Sequence, residues 1–147
     1  MLIREAAEKD IPEVLKLLMS MDGEDGMDSS AALKIWNNIK RYPYYKLLVV
    51  EERESIVGTC SLIVLDNLGH QGARLAVVES VIVERNHRGQ GIGKLMMDHV
   101  MELAREEKCY KLMLSSNKKR VPAHEFYRKL GFKQHGISFM IEVGEHD

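Results

Sequence analysis

Seven consecutive residues, Arg88-Gly89-Gln90-Gly91-Ile92-Gly93-Lys94, set three alternating glycines between two cations. They follow a strand-like apolar run, Leu75 to Val83, and open a helical pattern that reaches about Glu107. A strand feeding a glycine-rich turn at a helix start suits a phosphate, because free backbone N–H groups and the positive end of the helix dipole point at one spot. Glycine lets the anion approach the main chain with no side chain between them. The alternative is a glycine-rich turn with no ligand, which leaves three costly glycines without a purpose.

Two familiar phosphate loops do not fit. A Walker loop needs four residues between its first glycine and its Gly-Lys-Ser/Thr; that first place is held by Arg88, and Leu95 follows Lys94. A dinucleotide fingerprint needs a third glycine where this chain has Lys94.

The carboxylate to watch is Glu79, in the strand-like run. Strict alternation places it on one face with Leu75, Val77, Val81 and Val83. Desolvation there should raise its pKa and suit it to take a proton from an ammonium group. The alternative is a solvated or salt-bridged strand residue. His124 and His135 are further base candidates. Cys60 and Cys109 lack metal-ligand spacing and a nucleophile setting, so they are expected to be reduced, and no metal is expected.

These residues need a scaffold. The chain of 147 residues is expected to form one domain, 1–147, and a hydrophobic share of 45% provides a core. A net charge of −1 argues against a global affinity for nucleic acid or membranes. The basic clusters Arg85 to Arg88 and Lys118 to Arg120 are expected to flank the phosphate site; the alternative for each is solvated loop charge. No leader or membrane-length apolar run is visible, so a cytoplasmic location is expected.

The pattern reads as a strand at Leu2 to Glu5, then a helix capped by Asp10 with Glu13 completing a capping box. An acidic loop, 22–28, leads to a second helix capped by Ser29 or Ser30 and ended by Pro43. Tyr45 to Glu52 and Ile56 to Leu65 read as a hairpin, and Leu75 to Val83 as a central strand. After the glycine-loop helix, Lys111 to Leu114 is a short strand. Pro122 starts a last helix that Gly131 stops. Phe132 to Gln134 and Phe139 to Val143 are expected to close the sheet.

Glu79-Ser-Val-Ile-Val83, then Arg88-Gly-Gln-Gly-Ile-Gly-Lys94, then Phe126-Tyr-Arg-Lys-Leu-Gly-Phe132 resemble, in order and separation, the motifs of the GNAT superfamily of N-acetyltransferases. The resemblance implies an α/β acyl-CoA N-acyltransferase fold: a mixed central sheet of about six to seven strands, with strands 4 and 5 splayed, flanked by about four helices. It implies acetyl-CoA as co-substrate, its pyrophosphate held by Arg88, Gly89, Gln90, Gly91, Ile92, Gly93 and Lys94. Its pantetheine arm would pair with the backbone of Val81, Ile82 and Val83. It implies Glu79 as general base, directly or through water, and Tyr127 as the acid that protonates the departing thiolate. Asn117 is carried over as a contact to the arm, although Arg120 occupies the place seven residues before the tyrosine; the alternative is a turn asparagine.

Cys109-Tyr110-Lys111 and the Glu79 neighbourhood are similar to the glucosamine-6-phosphate N-acetyltransferase branch, which implies a small primary-amine partner. Homodimers are common in the family. A non-catalytic acyl-CoA sensor, or an enzyme acting on protein amines, keeps the same loop and stays open at this point.

Overall fold

The structure, a computed structural model, describes residues 1–22 and 26–144. The expected acidic loop therefore falls partly outside the described residues. The chain divides into two compact units, Met1–Leu114 and Ser115–Asp147.

The first unit runs β1 (Leu2–Glu5), α1 (Ile11–Asp22), α2 (Ser29–Ile39), β2 (Tyr45–Glu52), β3 (Ser55–Leu65), β4 (Arg74–Val83), α3 (Ile92–Glu106) and β5 (Cys109–Met113). The strands lie side by side in chain order, with β1 to β4 antiparallel and β5 parallel to β4 across the α3 crossover. The hairpin between β2 and β3 turns on Arg53 and Glu54, both with positive φ, as a two-residue primed turn requires.

Adjacent residues of β3 separate the two faces of the sheet. Gly58 lies against Ile92 and Met96 of α3, whereas Thr59 and Ser61 look toward α1 and α2. The α3 face is the drier one: Ile92, Met96, Met97 and Val100 are at most 1% exposed. On the other face Val14 and Leu17 of α1 pack with Val49, Ile56 and Ile82.

Local chemistry at the helix starts departs from the sequence expectation. Asp10 does not cap α1 with Glu13 as its partner. It is buried, receives Arg4 in a two-pronged pair at 2.7 and 3.0 Å, and accepts the Ala7 N–H at 2.7 Å. The Arg4 guanidinium holds the Asp10 carboxyl below its usual range. Glu13 instead accepts the Ile56 N–H, tying α1 to β3. Asp28, not Ser29 or Ser30, caps α2 by accepting the Ala31 N–H at 2.8 Å; a carboxylate one residue earlier serves the same orphan donor.

The second unit holds α4 (Val121–Lys129), with Pro122 in its first turn. Gly131, at φ +100°, ends it, and Phe132 returns its N–H to the Tyr127 carbonyl at 3.0 Å. The strands expected at Phe132 to Gln134 and Phe139 to Val143 are absent, so the sheet has five strands among the described residues rather than six or seven. Phe139, Met140, Ile141 and Val143 are 81–93% exposed. Strand propensity without a paired edge does not make a strand.

Candidate active site

The glycine loop has the geometry its composition requires. Gly89 and Gly91 take φ of +78° and +86°, a region side chains avoid. No atom lies within 4 Å of where a Cβ would stand at either, so backbone conformation rather than crowding demands glycine. Gly91 is the first residue before α3 and offers no side-chain cap. The first-turn amides of Ile92, Gly93 and Lys94 thus face outward without an intrahelical acceptor. Gly58 sets where that helix starts, because a Cβ there would come within 2.9 Å of the Ile92 side chain.

The cations flanking the loop are already occupied. Arg88 donates from Nε to the Val83 carbonyl at 3.3 Å, shaping the turn between β4 and the loop. Lys94 pairs with Asp98 at 2.6 Å. Glu84 accepts from Asn86 N–H and meets His87 Nδ1 at 2.6 Å, and the His87 contact holds its carboxyl below the usual range. The main chain is therefore the part of the loop best prepared for an anion.

Beside the loop, β4 outruns β5. Their pairing ends at Val77 opposite Met113, whereas β4 continues to Val83. From Val78 on, which includes Val81, Ile82 and Val83, no described strand pairs with β4 on that side.

Strand β4 also contains a bulge. Ser61 pairs with Glu79, but Thr59 pairs with Ile82, so three residues of β4 span two of β3. Ser80 absorbs the extra residue at φ +54°. The bulge breaks the alternation expected through this strand. Glu79 shares its face with Ile82, not with Val81 and Val83, and it is solvent-exposed. Of the four apolar neighbours expected on its face, Leu75 and Val77 stay and Val81 and Val83 are turned away.

In the second unit Tyr127 is 8% exposed and packs edge-on against Phe126 and Phe132, at centroid distances of 5.2 and 5.7 Å. Asn117 is exposed and turns on itself. Its Oδ1 accepts the Lys119 N–H at 2.9 Å, and its carbonyl meets Arg120 N–H and His124 Nε2. His124 is thus engaged with backbone, and His135 is exposed. Burial pushes the Cys60 thiol up to about 12, and Cys109 is raised by the same cause, which suits neither to nucleophilic attack. Among the described residues no group of His, Cys, Asp and Glu is arranged to hold a metal ion, and no helix is long and apolar enough to cross a membrane.

Sequence reasoning missed Ser61, Ser80 and Thr59, which line a cavity of about 160 Å³ between the sheet and α1–α2. Its one sequence signal was the adjacent polar pair Glu79-Ser80, which interrupts an apolar run as a bulge does.

An uncapped helix start on αL glycines, following a strand with no strand partner past Val77 on one side, is an α/β arrangement suited to an anion at the helix start. The chain belongs to the acetyltransferase (GNAT) family, whose sequence model matches residues 11–132. It is 38% identical over 88 residues to glucosamine 6-phosphate N-acetyltransferase of Trypanosoma brucei brucei, an alignment covering 60% of this chain and 58% of that protein. The chain thus matches little more than half of that relative's length. Among solved structures it superposes on a transcriptional regulator from Bacillus halodurans with a TM-score of 0.90 and 28% identity, covering 97% of this chain and 99% of that one. It also superposes on glucosamine-6-phosphate N-acetyltransferase of Arabidopsis thaliana with a TM-score of 0.88, covering 97% and 98%. At 20% identity, that second likeness speaks to fold alone.

Proposed function

We propose that the protein is an acetyl-CoA-dependent N-acetyltransferase that acts on the primary amine of a small molecule by direct attack in a ternary complex. The observation that carries this reading is the pairing of two features: the open first turn of α3 on Gly89 and Gly91, and the unpaired edge of β4 from Val78 to Val83. A diphosphate and an amide-bearing arm, in that order along one carrier, match them. The carrier supplies an activated thioester.

The amides of Ile92, Gly93 and Lys94, with the loop from Arg88, hold the diphosphate. Main-chain groups of Val81 to Val83 align the arm, and an N–H near Val83 polarises the thioester carbonyl. Glu79 takes the proton from the ammonium, directly or through water. Its exposure to solvent leaves room for a water between carboxylate and ammonium. Tyr127 gives a proton to the departing thiolate, and Asn117 is assigned to the arm. Amine nitrogen and carbonyl carbon form the new bond, the carbon–sulfur bond breaks, and no acyl-enzyme forms. The chemically unsuited Cys60 and Cys109 agree with that last point. A homodimer and a cytoplasmic location complete the proposal.

A second reading, a non-catalytic acyl-CoA sensor, is favoured by the likeness to a transcriptional regulator. Free-thiol release from acetyl-CoA across a panel of amines separates the two. The enzyme releases thiol only when an accepted amine is present; a sensor binds acetyl-CoA and releases none. A Tyr127→Phe variant should lose turnover by about 100-fold while coenzyme A affinity holds. Unchanged turnover would remove Tyr127 from the mechanism.

A further inference from the structure

The cavity between α1–α2 and the sheet has an uneven lining. Leu15, Leu18, Ile35, Trp36 and Ile39 form its helical wall. Ser61 and Ser80 stand on its sheet side, and Glu79 is the cross-strand partner of Ser61 and the chain neighbour of Ser80. One end is therefore apolar, and the other lies next to the exposed carboxylate and the bulge. The Thr59 hydroxyl, also on the sheet side, is committed to the Leu48 carbonyl at 2.8 Å. Among the described residues of the first unit, to which the cavity belongs, no arginine, lysine or histidine lines it. Residues 22–25, whose side chains are not described, read Asp-Gly-Glu-Asp and hold no cation.

We propose that this cavity receives the apolar body of the acceptor, and that the acceptor is an aralkyl- or alkylamine rather than a phosphorylated amino sugar. The inference rests on the acetyl-transfer reading and names the substrate class of that same site. A sugar phosphate would bring a dianion and several hydroxyls to a wall of leucine, isoleucine and tryptophan, stranding polar groups that have no partner there. An amine with one ring fits on size, because a dry apolar cavity of about 150 Å³ takes up benzene. The cavity here has a volume of about 160 Å³. With the ring among the helix side chains, the ammonium falls toward Ser61, Ser80 and Glu79, where the proton must leave.

The test compares 2-phenylethylamine, n-hexylamine and glucosamine 6-phosphate in the thiol-release assay, with calorimetric titration of each amine alongside. The apolar amines should exceed the sugar phosphate in kcat/KM by about tenfold or more, the scale on which apolar pockets discriminate. Ala32, 4% exposed and part of the lining, provides the variant that fills the cavity. Ala32→Leu should raise KM for 2-phenylethylamine by about tenfold and leave the coenzyme A dissociation constant unchanged. Should that variant fail to fold, Trp36→Ala enlarges the same cavity and should shift preference toward a naphthyl amine. Thiol release favouring glucosamine 6-phosphate would overturn the proposal and leave acetyl transfer standing. If no amine releases thiol, the acetyl-transfer reading fails, and calorimetry decides the cavity separately. Saturable phenylethylamine binding weakened by Ala32→Leu supports it, and no binding overturns it.

Discussion

The two faces of the sheet are filled to different standards. Against α3 the side chains of Ile92, Met96, Met97 and Val100 leave almost no exposed surface, and even a methyl group at Gly58 would collide with Ile92. Against α1 and α2 the sheet presents Thr59, Ser61 and Ser80, keeps a cavity of about 160 Å³, and leaves Ile35 46% exposed. Tight packing suits the face that positions a helix start, because a phosphate cradle works only if its amides are fixed. A face that must admit a second reactant cannot be packed to the same density. On the proposed function, the fold separates a rigid carrier site from a roomier acceptor side on one sheet.

The contrast can be broken most directly by truncation. Met96→Ala should cost about 2–5 kcal/mol, because a fully buried side chain leaves a void that the tight face cannot close. Leu15→Ala, which enlarges an existing cavity, should cost less than half as much in the same denaturant titration. Equal losses would erase the distinction between the faces.

The chemistry assigned to the open side is tested by Glu79→Gln. Its kcat/KM should fall by about 100-fold, with the coenzyme A dissociation constant unchanged. A loss in both would place Glu79 in the carrier site instead.

The pair that ties the start of α1 to β1 sets a smaller effect. Because the folded-state pKa of Asp10 lies below its unfolded value, its contribution to stability is complete above about pH 4 and disappears as pH falls through the folded value. Asp10→Asn should therefore cost about 1.5–3 kcal/mol at pH 7 and progressively less toward pH 2, read from melting temperatures across that range. A constant loss at every pH would show that the charge is not what matters.

Smallest is the expected effect of Gly91→Val. A β-branched residue at φ +86° disfavours the cradle conformation by about 1–2 kcal/mol and should weaken coenzyme A binding by about tenfold. The global melting temperature should move far less than in Met96→Ala.

The carrier side was legible in sequence because its signals are local. Alternating glycines after an apolar strand specify a positive-φ turn and a helix start, and both Gly89 and Gly91 adopt it. The order of elements along the chain from β1 to α4 followed from hydrophobic periodicity in the same way. The acceptor side was not legible, because its geometry depends on an event that periodicity hides. One extra residue at Ser80, a non-glycine at positive φ, moves every later side chain of β4 to the other face. That is why Glu79 was assigned the wrong neighbours. Glu13 and Asp10 were misread for a related reason, since each found a partner outside its own helix, Ile56 and Arg4 respectively. The two strands expected after Phe132 show the remaining gap: sequence reports a preference for strand, while an edge to pair with is a property of the fold.

The central claim is that main-chain amides between residues 88 and 94 grip the diphosphate of the carrier. Amide chemical shifts of the isotopically labelled protein, followed during titration with coenzyme A, test it residue by residue. The account predicts that the largest changes fall on Gly89 through Lys94 and saturate together, with smaller changes along Val81 to Val83. Saturable binding that leaves the amides of 88–94 unmoved while others shift would contradict it.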